Sequence, residues 1–169
     1  DYYRQVSVVD LIETYDNLIV IRTFSKYFGL AGLRLGYCVS QEENIQQLLK
    51  MRKEADVNSA AVLYGTHALR NVDYLEDLVS EMRSNQKEIT ELLEDEGWSV
   101  WSGKANFVTL AGERARELQN FLEENKVIVM DISGGHKVQE ITQKTTLKIT
   151  IPFGDEHTKL ISLIKKYHE

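Results

Sequence analysis

The sequence predicts an α/β segment followed by a compact α+β unit, and three observations carry that prediction. Leu18-Ile19-Val20-Ile21 is apolar at every position, the pattern of a strand covered by helices on both faces, and such strands belong to α/β sheets. Between Ser59 and Glu96 apolar residues return every three or four positions, the period of long helical structure. After Gly97, short β-rich runs and two helical stretches follow in the order β-β-α-β-β-α.

Element by element, Ser7 precedes an apolar stretch with Asp10 three residues on, the spacing of a capping box, so a short helix is expected to about Tyr15. Asp16-Asn17 ends it before the 18–21 strand. Residues 33–39 predict a second short strand, and 41–52 a helix with Ile45, Leu48 and Leu49 on one face. The long helical pattern runs through Tyr64, Ala68, Val72, Leu75, Val79, Met82, Ile89 and Leu93, with a gap near Gln86. Asn71-Val72-Asp73, with Glu76 three residues beyond Asp73, offers a second N-cap and a break. Gly97 is placed to stop the helix in the left-handed conformation. Strands are expected at 99–101, 106–110, 127–131 and 146–151, with helices near 113–124 and from about Asp155 onward.

Composition sets the outer limits. A 169-residue chain with 43% hydrophobic residues can bury a core, so disorder is not expected. Lys+Arg 20 against Asp+Glu 26, a net charge of -6, argues against nucleic acid as a partner. A single cysteine, Cys38, allows no internal disulfide, suits a reducing compartment and reads as a small buried hydrophobe. No apolar run reaches the roughly 20 residues of a membrane span, so the expectation is a cytoplasmic protein without membrane attachment. The start at Asp1 reads as though sequence had been removed upstream. His67, His136, His157 and His168 show no metal-ligand spacing with one another or with Cys38, and no metal is expected. Gly134-Gly135-His136 reads as a turn, and Trp98 and Trp101 as packing residues.

The stretch that carries chemistry is Thr23-Phe24-Ser25-Lys26-Tyr27-Phe28-Gly29-Leu30-Ala31-Gly32-Leu33-Arg34-Leu35-Gly36-Tyr37. It follows the buried strand directly, where open α/β sheets place their ligands. A lysine there can be partly desolvated and serve as a nucleophile toward an aldehyde. Thr23 and Ser25 alternate along an extended chain and point the same way, with hydroxyls able to donate to an anion. Arg34 adds a guanidinium fork suited to phosphate, and Gly29, Gly32 and Gly36 permit tight turns. An amine beside a phosphate clamp is the chemistry pyridoxal 5'-phosphate needs.

The pattern Ser-Lys-x-x-Gly-Leu-Ala-Gly-x-Arg-x-Gly-Tyr resembles the lysine segment of fold type I, class I/II pyridoxal-phosphate aminotransferases, in the form found in histidinol-phosphate aminotransferases. Asn106-Phe107-Val108, Val127-Ile128-Val129-Met130-Asp131 and Leu147-Lys148-Ile149-Thr150 follow in that family's order. The resemblance implies pyridoxal phosphate held as an imine by Lys26, which then shuttles the proton, with Thr23, Ser25 and Arg34 as phosphate ligands. It implies transfer of an amino group from an amino-acid or amino-phosphate donor to a 2-oxo acid, by a homodimer. A related decarboxylase or lyase, or a non-catalytic fragment, are the alternatives. It also implies a division into residues 1–57, the C-terminal part of the large cofactor-binding domain, and residues 58–169, a connecting helix and the α+β small domain. Further cofactor ligands would belong to sequence before residue 1, Asp1 and Tyr2 themselves reading as an exposed terminus. Two positions depart from the pattern. Lys148 stands where the family carries a carboxylate-clamping arginine, so it is the candidate substrate-carboxylate ligand without a bidentate fork, and Met130 stands where the histidinol-phosphate branch carries another arginine.

Overall fold

A computed structural model describes residues 7–52, 56–135, 138 and 144–169; the readings at Asp1, Tyr2 and His136 lie outside these. The chain forms two compact units, residues 1–79 and 80–169, and the division falls inside a helix.

In the first unit Val9–Glu13 forms a 3-10 helix. Ser7 Oγ accepts the Val9 N–H at 3.2 Å, but Val8 holds the N-cap position without a side-chain cap bond, and the α-helix expected to Tyr15 does not form. Strand β1 (Val20–Thr23) pairs antiparallel with β2 (Gly36–Val39), Val20 opposite Val39 and Thr23 opposite Gly36. Gly36 is required there, because an added Cβ would lie 2.8 Å from the Arg22 carbonyl oxygen. The expected covering of both faces is not met: Val20 is buried but Ile21 is 79% exposed. Cys38, opposite Ile21 in the register, is exposed rather than buried for the same reason, since no second layer covers that face among the described residues. Helix α1 (Glu42–Leu49) leaves Leu48 and Leu49 exposed as well. Helix α2 (Ser59–Arg70) starts at Asn58, whose side chain accepts the Ala61 N–H. The chain breaks at Asn71, as its capping pattern predicts, before α3 (Val72–Asp95).

The second unit closes its own core. β3 (Ser99–Ser102), β4 (Phe107–Ala111), β5 (Met130–Asp131) and β6 (Thr146–Thr150) make an antiparallel sheet in the order β3-β4-β6-β5. Val108, Leu110, Leu147 and Ile149 project from one face, all at most 1% exposed. Leu118 and Leu122 of α4 (Ala115–Glu124), Leu160 and Ile164 of α5 (Gly154–His168), and Ile89 and Leu93 of α3 are sealed with them. The gap in the apolar pattern at Gln86 has a structural use: buried, its amide donates to the carbonyls of Ala105 (2.9 Å) and Phe107 (3.0 Å) at the head of β4.

The helix ends are read well by glycine logic and once escape it. Gly97 has φ +83, with its N–H on Glu94 O and the Trp98 N–H on Leu93 O, a Schellman closure of α3. α4 ends in the same way at Lys126, with φ +64 and the Val127 N–H on Leu122 O at 2.8 Å. That closure commits the backbone at Val127 to the helix end, so strand β5 begins at Met130 rather than at 127. The C-terminus of α5 is tied back to β3 through Trp98, whose indole N–H donates to His168 Nε2 at 3.0 Å while His168 Nδ1 lies 3.1 Å from Glu96.

Candidate functional site

β1 delivers Thr23 to the end of the strand, and the next residue organises the loop. Phe24, 5% exposed, donates its N–H to Leu35 O and accepts from Leu30 N–H, both at 3.0 Å. Its ring stacks on Phe28 at 4.5 Å and meets Tyr37 edge-on at 6.1 Å. Phe24 therefore pins the neck of a loop that runs to Leu35. α2 packs on the same neck, where a Cβ at Gly65 would stand 2.6 Å from the Leu35 side chain. Asn58 Nδ2 donates to Leu33 O at 3.3 Å, fixing the loop's far limb while its oxygen caps α2.

Within this frame Thr23 Oγ1 accepts the Ser25 N–H at 3.0 Å. That bond uses an oxygen lone pair and leaves both hydroxyl protons able to donate outward. Lys26 turns the chain, its carbonyl accepting from Gly29 N–H at 3.0 Å. Its side chain is exposed and makes no hydrogen bond or ion pair among the described residues, so these residues do not supply the expected desolvation. Arg34 lies in the left-handed region, φ +53, a conformation that costs a non-glycine residue about 1 kcal/mol. Its Nη1 donates to Ala31 O at 3.1 Å, which fixes one side of the guanidinium.

The structure thus gathers Thr23, Ser25, Lys26 and Arg34 on one pinned loop, with a direct bond only between Thr23 and Ser25. Lys148 belongs to the other unit. It lies on β6, half-buried, with its ammonium 4.1 Å from the centre of the Phe107 ring, and Met130 is its partner across β5. The two departures from the family pattern are cross-strand neighbours. Phe24, Asn58 and Phe107 were not singled out from the sequence. Asn58 could have been, as an N-cap before Ser59-Ala60-Ala61; Phe24 and Phe107 act through contacts across the fold that no local spacing encodes. A separate cleft of about 420 Å³ opens between Val127–Val129, Ile149–Phe153 and the start of α5, and none of the expected site residues lines it.

The hydroxyl and backbone N–H of Ser133 hold the Asp131 carboxyl below its ordinary value of 3.8; burial opposes them less strongly, and Arg116 adds a smaller lowering effect. Burial raises the Tyr167 phenol.

An α/β unit with a lysine loop after its first strand, followed by an antiparallel α+β unit, is a class of fold with known members. The chain belongs to the class I and II aminotransferases, whose family model matches residues 1–160. It is 30% identical over 163 residues to the histidinol-phosphate aminotransferase of Clostridium novyi (strain NT), covering 94% of this chain and 43% of that protein. Among solved structures, the histidinol-phosphate aminotransferase of Sinorhizobium meliloti in complex with pyridoxal-5'-phosphate matches with TM-score 0.74 and 24% identity, over 92% of this chain and 44% of that one. A decarboxylase from Sulfurospirillum multivorans matches with TM-score 0.80 and 21% identity, over 97% and 47%. The chain therefore spans less than half the length of these proteins. The fold is the expected one, a fold type I α/β portion with an α+β unit after it.

Proposed function

We propose that this chain is the lysine-bearing part of a pyridoxal-phosphate-dependent aminotransferase that moves an amino group from an amino-acid or amino-phosphate donor to a 2-oxo acid. The observation that carries the reading is the pinned loop, which carries a primary amine with no partner among the described residues, flanked in sequence by two hydroxyl donors and a guanidinium. That donor set fits the cofactor: an amine for an aldehyde, and hydroxyl and guanidinium N–H groups for a phosphate. When bound, the cofactor supplies the electron sink for amino transfer. Thr23, Ser25 and Arg34 would hold its phosphate. Lys26 Nζ would first hold the cofactor and then, once freed, carry a proton to and from the reacting carbon, a role for which an uncommitted amine is needed. Lys148 would take the substrate carboxylate by charge, without a fork.

Homodimeric assembly and a cytoplasmic location belong to the same proposal, and the former is read by sedimentation. In support of the latter, no described helix is long and apolar enough to cross a membrane. The reading is tested by adding pyridoxal phosphate to the purified chain, reducing with borohydride and mapping the label. Label concentrated on Lys26 and lost in Lys26→Ala supports it; label spread over many lysines sinks it for this chain. In the whole protein, turnover with amino donors and oxo acids, and evolved carbon dioxide, separates a transaminase from a decarboxylase.

A further inference from the structure

The face of the β3–β6 sheet that points away from the core has an uneven chemistry. Register places Trp101, Thr109, Lys148 and Met130 in one row across the strands, with Phe107 and Thr150 in the next row on the same side. Trp101 and Met130 are 45% and 60% exposed, and Thr150 is exposed. In a chain of net charge -6, none of these six residues is acidic and one is a cation. Lys148 has no carboxylate partner within ion-pair distance among the described residues; its one specific contact is the Phe107 ring, at 4.1 Å. Phe107 and Lys148 are diagonal neighbours on adjacent strands, close enough for a long side chain to reach a ring.

A ring under an ammonium attracts it through its negative face and removes much of its freedom to swing. The donors that point away from the ring stay available. A lysine free in water loses rotamer entropy whenever it grips an anion, whereas one already seated on a ring has lost much of it beforehand. We propose that Phe107 is a positioning residue that presets the Lys148 ammonium on this open sheet face. Lys148, Phe107 and Met130 together then recognise a carboxylate carried on an apolar or aromatic group. The ammonium takes the carboxylate, and the exposed Met130 thioether and the Phe107 ring edge take the apolar part. This inference rests on the reading of Lys148 as a carboxylate ligand and adds to it the residue that positions the charge and the class of side group preferred.

The test uses the purified chain with its lysines reductively ¹³C-methylated, which keeps their charge, and the Lys148 signal assigned by its loss in Lys148→Arg. In the wild type that signal is expected upfield of the other lysines, from the ring current of Phe107. It should shift further on titration with 3-phenylpropionate, and less with acetate. Phe107→Leu should abolish the upfield offset and weaken 3-phenylpropionate about fivefold. Phe107→Tyr, which keeps the ring, should restore both, a rescue that mere core filling would not give. An ordinary Lys148 position in the unmodified sequence overturns the positioning role without recourse to any variant. Unchanged affinity in Phe107→Leu, with binding still lost in Lys148→Met, overturns it too while leaving Lys148 as a carboxylate ligand. Equal affinity for acetate and 3-phenylpropionate overturns the apolar preference alone. Binding that survives Lys148→Met, or no binding of either acid, overturns the carboxylate reading itself.

Discussion

In residues 80–169 Leu93, Val108, Leu110, Leu118, Leu122 and Ile164 have no measurable exposure, whereas in residues 1–79 Ile21 is 79%, Leu63 67% and Met51 85% exposed. Both stretches carry ample apolar sequence. The second contains every layer its core needs, a four-stranded sheet with the amphipathic faces of α3, α4 and α5 against it. The first contains a two-stranded ribbon and short helices, and it buries chiefly Val20, Phe24, Ala61 and Val79. Apolar pattern states which side chains gain from burial; whether they obtain it depends on elements supplied elsewhere.

That contrast can be broken most forcefully in the core. Leu110→Ala should destabilise the second unit by about 2–5 kcal/mol, whereas Ile21→Ala should cost within about 0.5 kcal/mol, both read from chemical denaturation. Equal losses would mean that the first unit also packs the Ile21 face. Gln86→Leu removes the amide that satisfies two carbonyls at the head of β4 and should cost about 2 kcal/mol in the same measurement, through unpaired acceptors rather than a cavity. The two left-handed helix ends form an opposed pair. Gly97→Ala should lose about 1 kcal/mol and Lys126→Gly should gain a similar amount, because only glycine occupies that region without steric cost. The smallest effect concerns pH. Asp131 is held below 3.8 in the folded state, so its contribution is present above the unfolded-state pKa and is lost as pH falls through the folded one. Asp131→Asn should therefore lower the melting temperature slightly at pH 7 and flatten its decline below about pH 4, so that the two proteins converge in acid.

Much of the second unit was legible from sequence because its signals are local. Gly97 closes α3 by a bond pattern spanning six residues, and the alternation in 107–110 and 147–149 sets which face is buried; in the first unit, Asn71 likewise breaks the helix where capping residues cluster. The interruption at Gln86 was visible, but its purpose was not, since its partners lie 19 and 21 residues away. Val127–Val129 misled because a β-branched run suggests a strand, yet a helix closure through Lys126, a residue with no glycine signature, claimed the backbone first. Ile21 and Cys38 misled for a different reason: their pattern describes a covered sheet, and the described residues supply no cover on that side.

For the candidate site the division is similar. The sequence by itself determined the chemical inventory, an amine at Lys26, hydroxyls at Thr23 and Ser25, a guanidinium at Arg34 and a lone ammonium at Lys148, because residue identity and close spacing suffice to state what can donate, accept or attack. Tertiary structure alone decided how these groups are held: Phe24 pinning the lysine loop from within, Asn58 reaching Leu33 across 25 residues, and Phe107 seating Lys148 from the neighbouring strand. Chemistry is a property of single side chains and is written in order along the chain, while position depends on contacts between segments that only the folded backbone brings together.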